Sequence, residues 1–213
     1  MKKMRWQIAQ FFERLWWRKY LLGKDKQEYL SWKRNYWIEF LEKMDRPLDS
    51  LKSPVIDIGC GPAGIFINME EQATVALDPL LNHYDALPIF DRVDYGSTEF
   101  IEQSFEEYSS KQEFQTVFCL NAINHFKDLK GSFDKLYTIT ANGGEVIVSI
   151  DAHNHTIFRR LFAWLPLDIL HPHQYYLEEY EAFLKESGFS MSKKVLIQKA
   201  FFFDYWVLLA SKN

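Results

Sequence analysis

Residues 54–64 read PVIDIGCGPAG, an apolar run that carries one acid, Asp57, and then breaks into a glycine-rich turn. Glycines at positions 59 and 61 allow the backbone to approach a ligand where a Cβ would block it, and a helix that follows such a turn offers free N–H donors. A carboxylate is rarely tolerated in a buried strand unless it faces a polar ligand or an organised turn at the carboxyl end. The stretch therefore predicts a strand, a nucleotide-cofactor turn and a helix-like segment.

The spacing of the glycines fits two kinds of cofactor. Residues 59–64 match the G-x-G-x-x-G pattern of dinucleotide sites, and Asp78 follows near the distance expected of a ribose-binding acid. Asp57 favours a different ligand, because a carboxylate beside the turn repels a pyrophosphate and attracts a cationic cofactor. S-adenosylmethionine, which carries an ammonium and a sulfonium group, is such a cofactor.

The composition bounds the class of protein. A chain of 213 residues that is 47% hydrophobic fits one domain with an extension, and a net charge of −4 does not favour a nucleic-acid partner. The two cysteines, Cys60 and Cys119, lie in apparent core elements and form no C-x-x-C pair. No secretory leader or transmembrane segment is recognisable, so we expect a cytoplasmic protein, and we make no prediction of its oligomeric state.

The first fifty residues differ from the rest. We expect an N-terminal helical extension at residues 1–50 and the main domain at residues 51–213, because aromatic residues recur at helical spacing in two segments that are separated near Gly23. The extension carries twelve Lys and Arg against seven Asp and Glu. We expect its helices to cover the cofactor mouth, and a basic amphipathic anchor on a membrane surface is the alternative.

From residue 54 onward, short apolar runs alternate with helical patterns, which is typical of a parallel sheet with helices on both faces. Gly143 and Gly144 predict the end of a helix that begins near Lys127, and a last helix is expected at residues 178–187. The sequence predicts an α/β fold with a Rossmann-like seven-stranded sheet, mostly parallel, whose last strand is antiparallel. The expected strands lie at residues 55–58, 74–77, 98–102, 116–120, 145–150, 194–198 and 205–210.

Over residues 54–211 the chain resembles the class I S-adenosylmethionine-dependent methyltransferases, specifically an uncharacterised, type 11-like branch. Residues 57–62 (DIGCGP) are similar to the first motif of the family, and residues 75–80 (VALDPL) to the second. Further matches are residues 118–126 (FCLNAINHF) after the fourth strand, 143–148 (GGEVIV) at the fifth, and Gly188-Phe189 before the final strands. The resemblance implies S-adenosyl-L-methionine as cofactor and S-adenosyl-L-homocysteine as product.

The resemblance also implies a set of cofactor-binding residues. Asp78 would accept hydrogen bonds from both ribose hydroxyls, with a helix N-cap as its alternative role. Ser104 and Phe105 stand where the family usually has an acid that contacts adenine, so the adenine contact is weaker here. The complete set is Asp57, Gly59, Cys60, Gly61, Asp78, Pro79, Ser104, Phe105, Asn121 and Ala122.

The acceptor is less well defined. Residues 120–123 read LNAI and lack the Asn-Pro-Pro-Tyr or Asp-Pro-Pro-Tyr device of the family, which argues against adenine-N6 and glutamine methylation. We expect a small, partly apolar acceptor. The apolar residues Phe158, Phe162, Trp164 and Leu165 are expected to pack in the core, and a wall of the acceptor pocket is their alternative role. His125 and His171 are the candidate acid–base groups, and no metal site is expected because the histidine pairs lack companion ligands. The predicted substrate residues are Tyr36, His125, His153, His171 and His173.

Two other functions stay open. An NAD(P)-dependent Rossmann oxidoreductase is the first, although a Tyr-x-x-x-Lys pair after the fourth strand is missing. A non-catalytic module that binds S-adenosylmethionine or S-adenosylhomocysteine is the second, because the adenine-binding acid is missing and no general base is assured.

Overall fold

The computed structural model describes residues 2–153, 175–201 and 203–213, with backbone only at residues 2–9 and 13. The chain starts with two helices, α1 (Lys2–Leu21) and α2 (Lys26–Lys43). They meet at Gly23, whose φ of 77° breaks the helical path, and α2 begins where the Asp25 carboxylate accepts the N–H of Glu28 at 2.9 Å. The two predicted N-terminal helices are therefore present. Among the described residues, no helix is both long and apolar enough to cross a bilayer.

Seven strands form one sheet in the order β3-β2-β1-β4-β5-β7-β6. Strand β7 runs antiparallel to both of its neighbours, β5 and β6, and the other pairings are parallel. This arrangement confirms the predicted fold class. The strands are β1 (Val55–Ile58), β2 (Thr74–Leu77), β3 (Thr98–Ile101), β4 (Phe114–Cys119), β5 (Thr140–His153), β6 (Ser190–Gln198) and β7 (Phe203–Ser211).

Apolar layers cover both faces of the sheet, which explains why β1 and β2 are continuously buried rather than alternating. One layer contains Trp37 and Phe40 of α2 together with Phe66, and continues through the short helix α3 (Leu81–Tyr84). The other layer is built on α4 (Leu129–Ile139) and α5 (Leu177–Glu186). Strands β2 and β3 are added on one side of β1, and β4 and β5 on the other, so the strand order switches between the parallel strands β1 and β4. The carboxyl ends of these two strands therefore border the crevice in which such folds bind ligands.

The helix-like segment predicted after the glycine turn is present as 3-10 turns, and the regular α-helix that was expected to offer its N-terminus is not formed. Two 3-10 turns, Gly61–Ala63 and Ile65–Asn68, take its place, with Gly64 extended between them at φ −70° and ψ −172°. Helix α2 packs against this segment, and its Trp37 Nε1–H donates to the Ala63 carbonyl at 3.1 Å. The neighbouring helix α2 thus holds this segment in place through the bond to Ala63.

The helix α4 also ends earlier than predicted. It stops at Ile139, and residues 140–144 already belong to β5, so Gly143 and Gly144 lie within the strand rather than before it. The buried Lys212 ammonium donates to the carbonyls of Tyr137 and Thr140 at 3.0 and 2.7 Å, which satisfies the helix end. The Gly143 N–H donates to the Lys212 carbonyl at 2.8 Å and joins this start of β5 to the end of β7.

Candidate functional site

The glycine turn after β1 is fixed by its neighbours on both sides. The N–H groups of Gly59 and Cys60 donate to the Leu77 carbonyl at 2.7 and 3.3 Å, which binds the turn to β2. Gly59 has φ 68°, and a Cβ there would lie 2.3 Å from the Cβ of Ala122, in the loop after β4. Only glycine therefore allows the turn and the β4 loop to approach this closely.

Asp57 is buried at the carboxyl end of β1 and organises the chain after the turn. Its carboxylate accepts the N–H of Phe66 at 3.2 Å, and a Cβ on Gly64 would lie 2.4 Å from its Oδ2. Burial, together with the negative charge of Asp78, raises the pKa of Asp57 to about 7, against the lowering effect of the Phe66 N–H and Lys33. Asp57 thus holds the backbone of the 3-10 turn that follows the glycine-rich turn.

Asp78, buried at the end of β2, joins the first two motifs. Its Oδ2 accepts the N–H of Gly61 at 3.0 Å, its Oδ1 accepts the N–H of Leu80 at 2.8 Å, and the Tyr84 hydroxyl also bonds to the carboxylate. Burial raises the pKa of Asp78 to about 6, opposed first by the Leu80 and Gly61 N–H groups. The local bond to Leu80 is an Asx turn, whereas helix α3 begins at Leu81 with Leu80 as its N-cap residue, so the alternative role of Asp78 as a helix N-cap is wrong.

Ser104 carries a buried hydroxyl that has no hydrogen-bond partner among the described residues. Leaving a buried donor or acceptor unpaired costs about 1–3 kcal/mol, which favours a polar ligand at this position. Phe105, by contrast, is buried in the layer on α4 and packs 5.5 Å from the Phe126 ring. Pro79 is half-buried beside Asp78.

A second polar group, the hydroxyl cluster, consists of Tyr36, Asn121, Ser149 and Tyr205. Asn121 has the left-handed φ of 55°, and its N–H donates to Ser149 Oγ at 2.7 Å. The Tyr205 hydroxyl faces the side chains of Tyr36, Ser149 and Asn121, and burial raises the pKa of both phenols. The cluster brings together α2, the β4 loop, β5 and β7, beside the glycine turn that Ala122 contacts.

Lys33 is a site residue that sequence reasoning missed. Its Nζ lies 4.6 Å from the ring centroids of both Tyr36 and Trp37 and 5.7 Å from that of Trp32. Burial lowers the pKa of Lys33 to about 8, against the favourable charge of Asp57. In the part of the chain that the structure describes, it has no carboxylate within ion-pair distance. The sequence pattern that could have identified Lys33 is the presence of aromatic residues one position before it and three and four positions after it on the same helix.

Trp17 of α1 lies over the first motif. A Cβ on Gly61 would lie 3.5 Å from Trp17 Cζ2, and the Trp17 ring meets the Tyr84 ring edge-on at a centroid distance of 6.2 Å. Since Tyr84 also bonds to Asp78, α1 forms a wall of the same crevice. The predicted aromatic pattern marked α1 as a helix but gave no indication of which ring covers the turn.

Of the predicted substrate histidines, His125 and His153 lie in the described part of the chain. His125 is exposed in the 3-10 turn Ile123–His125 after β4, and His153 is buried at the end of β5 with its ring 4.3 Å from that of Phe203. His171 and His173 lie outside the described residues, as do His155 and residues 158–165. Within the described ranges, no group of three or more His, Cys, Asp and Glu is placed to hold a metal ion.

Comparisons with known proteins agree with the observed fold. A family model described as a methyltransferase domain matches residues 29–194. Magnesium protoporphyrin IX methyltransferase from Synechocystis, crystallised with S-adenosylhomocysteine, superposes with a TM-score of 0.64 at 16% identity over 96% of this chain and 94% of that one.

Two further solved structures have the same fold. The N-methyltransferase NodS from Bradyrhizobium japonicum, also bound to S-adenosylhomocysteine, has a TM-score of 0.64 at 13% identity, covering 91% of this chain and 95% of its own. An S-adenosylmethionine-dependent methyltransferase from Clostridium acetobutylicum has a TM-score of 0.62 at 14% identity, covering 95% and 98%. No curated protein matched the chain by sequence. The family match, the strand order and the two joined motifs together place the chain in the methyltransferase domain family, within the class I S-adenosylmethionine-dependent superfamily.

Proposed function

We propose that the protein is a methyltransferase that uses S-adenosyl-L-methionine, releases S-adenosyl-L-homocysteine, and acts on a small, partly apolar acceptor. The observation that carries this proposal is the Asp78 carboxylate, which meets the Gly61 N–H of the first motif at the end of β2. The cofactor supplies an electrophilic methyl group on a sulfonium centre. The protein has to hold that group, orient a nucleophile and exclude water.

The cofactor's nucleoside part is assigned to the β2 and β3 side of the crevice. Asp78 accepts from the ribose hydroxyls, and the unpartnered Ser104 hydroxyl supplies a polar contact for the adenine. Pro79 and Phe105 shape the apolar surroundings. The ionised form of Asp78 is needed, because a protonated carboxyl loses acceptor capacity.

The cofactor's amino-acid part is assigned to the glycine turn. The N–H groups of Gly59, Cys60 and Gly61 are already engaged, so the turn would meet an ammonium group through carbonyl oxygens. Asp57 and Lys33 place a negative and a positive charge beside the turn, which matches a zwitterion of ammonium and carboxylate. Lys33 is the group that would bind the cofactor carboxylate.

The acceptor is assigned to the hydroxyl cluster. Tyr36 and Tyr205 stay neutral at physiological pH, because burial raises their pKa values, and so they orient an acceptor by hydrogen bonds rather than by charge. His125 and His171 are the candidate proton acceptors, and His153 and His173 the remaining predicted lining residues. The buried ring of Trp37 excludes water from this side.

An oxidoreductase is less compatible with these groups. A dinucleotide would place its pyrophosphate beside Asp57 and Asp78, two buried acids that cost free energy when they face a second negative charge. A non-catalytic binding module would bind the cofactor at the same site as the proposed methyltransferase. It would differ from the enzyme only in that it transfers no methyl group.

Native mass spectrometry of the freshly purified protein tests the proposal. We expect a bound mass of S-adenosylmethionine or S-adenosylhomocysteine that is lost on denaturation. A bound nicotinamide dinucleotide would overturn the proposal in favour of the oxidoreductase. Incubation with methyl-labelled cofactor and fractions of small apolar metabolites then separates an enzyme, which labels an acceptor, from a binding module, which holds the cofactor without turnover.

A further inference from the structure

Helix α1 has two faces of different character. Its inner face contacts the domain through Trp17, over Gly61, and through the buried Leu21. Its outer face exposes four large apolar side chains on adjacent turns, each with between 45% and 53% of its surface accessible: Phe11, Phe12, Leu15 and Trp16. Adjacent exposed side chains of this size and character mark an interaction surface.

The charge of α1 is strongly positive. The helix sequence contains six Lys and Arg residues and one acid, Glu13, whereas the chain as a whole carries −4. At the edge of the outer face, Phe11 and Leu15 join Arg14 and Arg18 in lining a cleft of about 600 Å³. The other wall of the cleft is formed by Asn82, His83, Tyr84, Ala86 and Leu87. Arg14 also hydrogen-bonds His83 across this cleft. Cationic groups therefore adjoin the exposed aromatic side chains directly.

We propose that the outer face of α1 binds the surface of an anionic phospholipid bilayer. Aromatic and aliphatic side chains bordered by Lys and Arg are the pattern of helices that lie in the interface plane, where the rings enter the headgroup region and the cations meet lipid phosphates. A second copy of the chain fits less well, because it would bring two helices of like positive charge together. The proposal is independent of the methyltransferase activity.

Vesicle co-sedimentation of the intact protein tests this proposal. We expect binding to phosphatidylcholine vesicles that contain about one third phosphatidylglycerol at low salt, little binding to phosphatidylcholine alone, and release at high salt. The double variants Phe12→Gln/Trp16→Gln and Arg18→Gln/Lys19→Gln should each weaken binding by about tenfold or more. Val93→Gln is the matched control, since Val93 is 87% exposed outside α1 and should leave binding unchanged.

Circular dichroism and S-adenosylhomocysteine titration of each variant establish that the fold and the cofactor site are intact. Failure of the intact protein to bind anionic vesicles, equal binding to neutral ones, or variants that bind as well as the parent would each overturn the proposal. A concentration-dependent dimer that the aromatic variant disrupts, with no vesicle binding, would instead assign the face to a second copy.

Discussion

At the scale of single residues, two buried carboxylates dominate the electrostatics of the crevice. Asp57 and Asp78 have pKa values raised to about 7 and about 6, because burial disfavours their charged forms. Lys33 interacts with Asp57, and burial lowers the pKa of Lys33 to about 8. All three groups change charge within a narrow range around neutrality, so their effect on a ligand depends on pH.

Replacing Asp78 by Ala should weaken binding of S-adenosylhomocysteine by about 2–4 kcal/mol, because two charge-assisted hydrogen bonds are lost and two hydroxyls are left unpaired. Asp78→Asn should lose less. Isothermal titration calorimetry measures both, with Glu71→Ala, an exposed acid in the turn before β2, as the control. An unchanged affinity in Asp78→Ala would remove this residue from the ribose role.

The affinity for S-adenosylhomocysteine should rise as the pH increases from about 5 to about 7, since Asp78 and Asp57 must ionise to accept its donors. It should fall again above about 8, where Lys33 loses its charge. In Lys33→Met the alkaline decline should disappear, while the acidic limb remains. A pH-independent affinity in the parent protein would contradict these assignments.

The same two carboxyls affect the stability of the free protein in the opposite direction. Their folded-state pKa values lie above the ordinary value of 3.8, so the folded state holds their protons more tightly than the unfolded state does. Their contribution to stability is therefore present at low pH and is lost as the pH rises from about 4 to about 7. Bound cofactor should reverse this loss.

At the scale of elements, the first motif depends on contacts between segments that are distant in sequence. The turn after β1 is held by the Leu77 carbonyl of β2, by Asp78, by Ala122 of the β4 loop and by Trp37 of α2. The 3-10 turns that replace the expected helix follow from this crowding. A substitution in the turn should therefore disturb three strands at once.

Gly59→Ala should lower the free energy of unfolding by roughly 2–4 kcal/mol, because it adds a left-handed backbone penalty to a steric overlap with Ala122. Gly96→Ala is the matched control: its added Cβ would meet no atom within 4 Å, and its φ is not positive. Urea denaturation compares the two. Equal stability of both variants would mean that the close approach of the turn and the β4 loop is not structurally required.

At the scale of the whole molecule, the strands of the sheet were predictable from the sequence, whereas the contacts made by the segments that pack on the sheet were not. Strands β1 and β2 were located at their observed bounds, because apolar runs buried on both faces end at recognisable glycine and polar residues. The 3-10 turns depend on the Asp57 carboxylate and on Trp37, and no local pattern encodes such long-range contacts. Asp78 was identifiable from its motif, whereas Lys33 and Tyr205 join the candidate site only once α2 and β7 have packed.

Deleting residues 1–44 should reduce both solubility and cofactor affinity. The deletion removes Trp17 from the glycine turn and exposes the apolar layer that Trp37 and Phe40 cover. Size-exclusion chromatography and cofactor titration of the truncated protein measure the two effects. A soluble truncation with the affinity of the parent would show that the helices do not cover the cofactor mouth.

The central claim is that the crevice between β1, β2 and β4 binds S-adenosylmethionine, and a thermal-shift titration tests it most directly. A ligand that binds the folded state alone raises the melting temperature in proportion to the logarithm of its concentration, once that concentration exceeds Kd. We predict that S-adenosylmethionine and S-adenosylhomocysteine raise the melting temperature, that NAD does not, and that Asp78→Ala abolishes most of the shift. Stabilisation by NAD with no response to either sulfur compound would contradict the account.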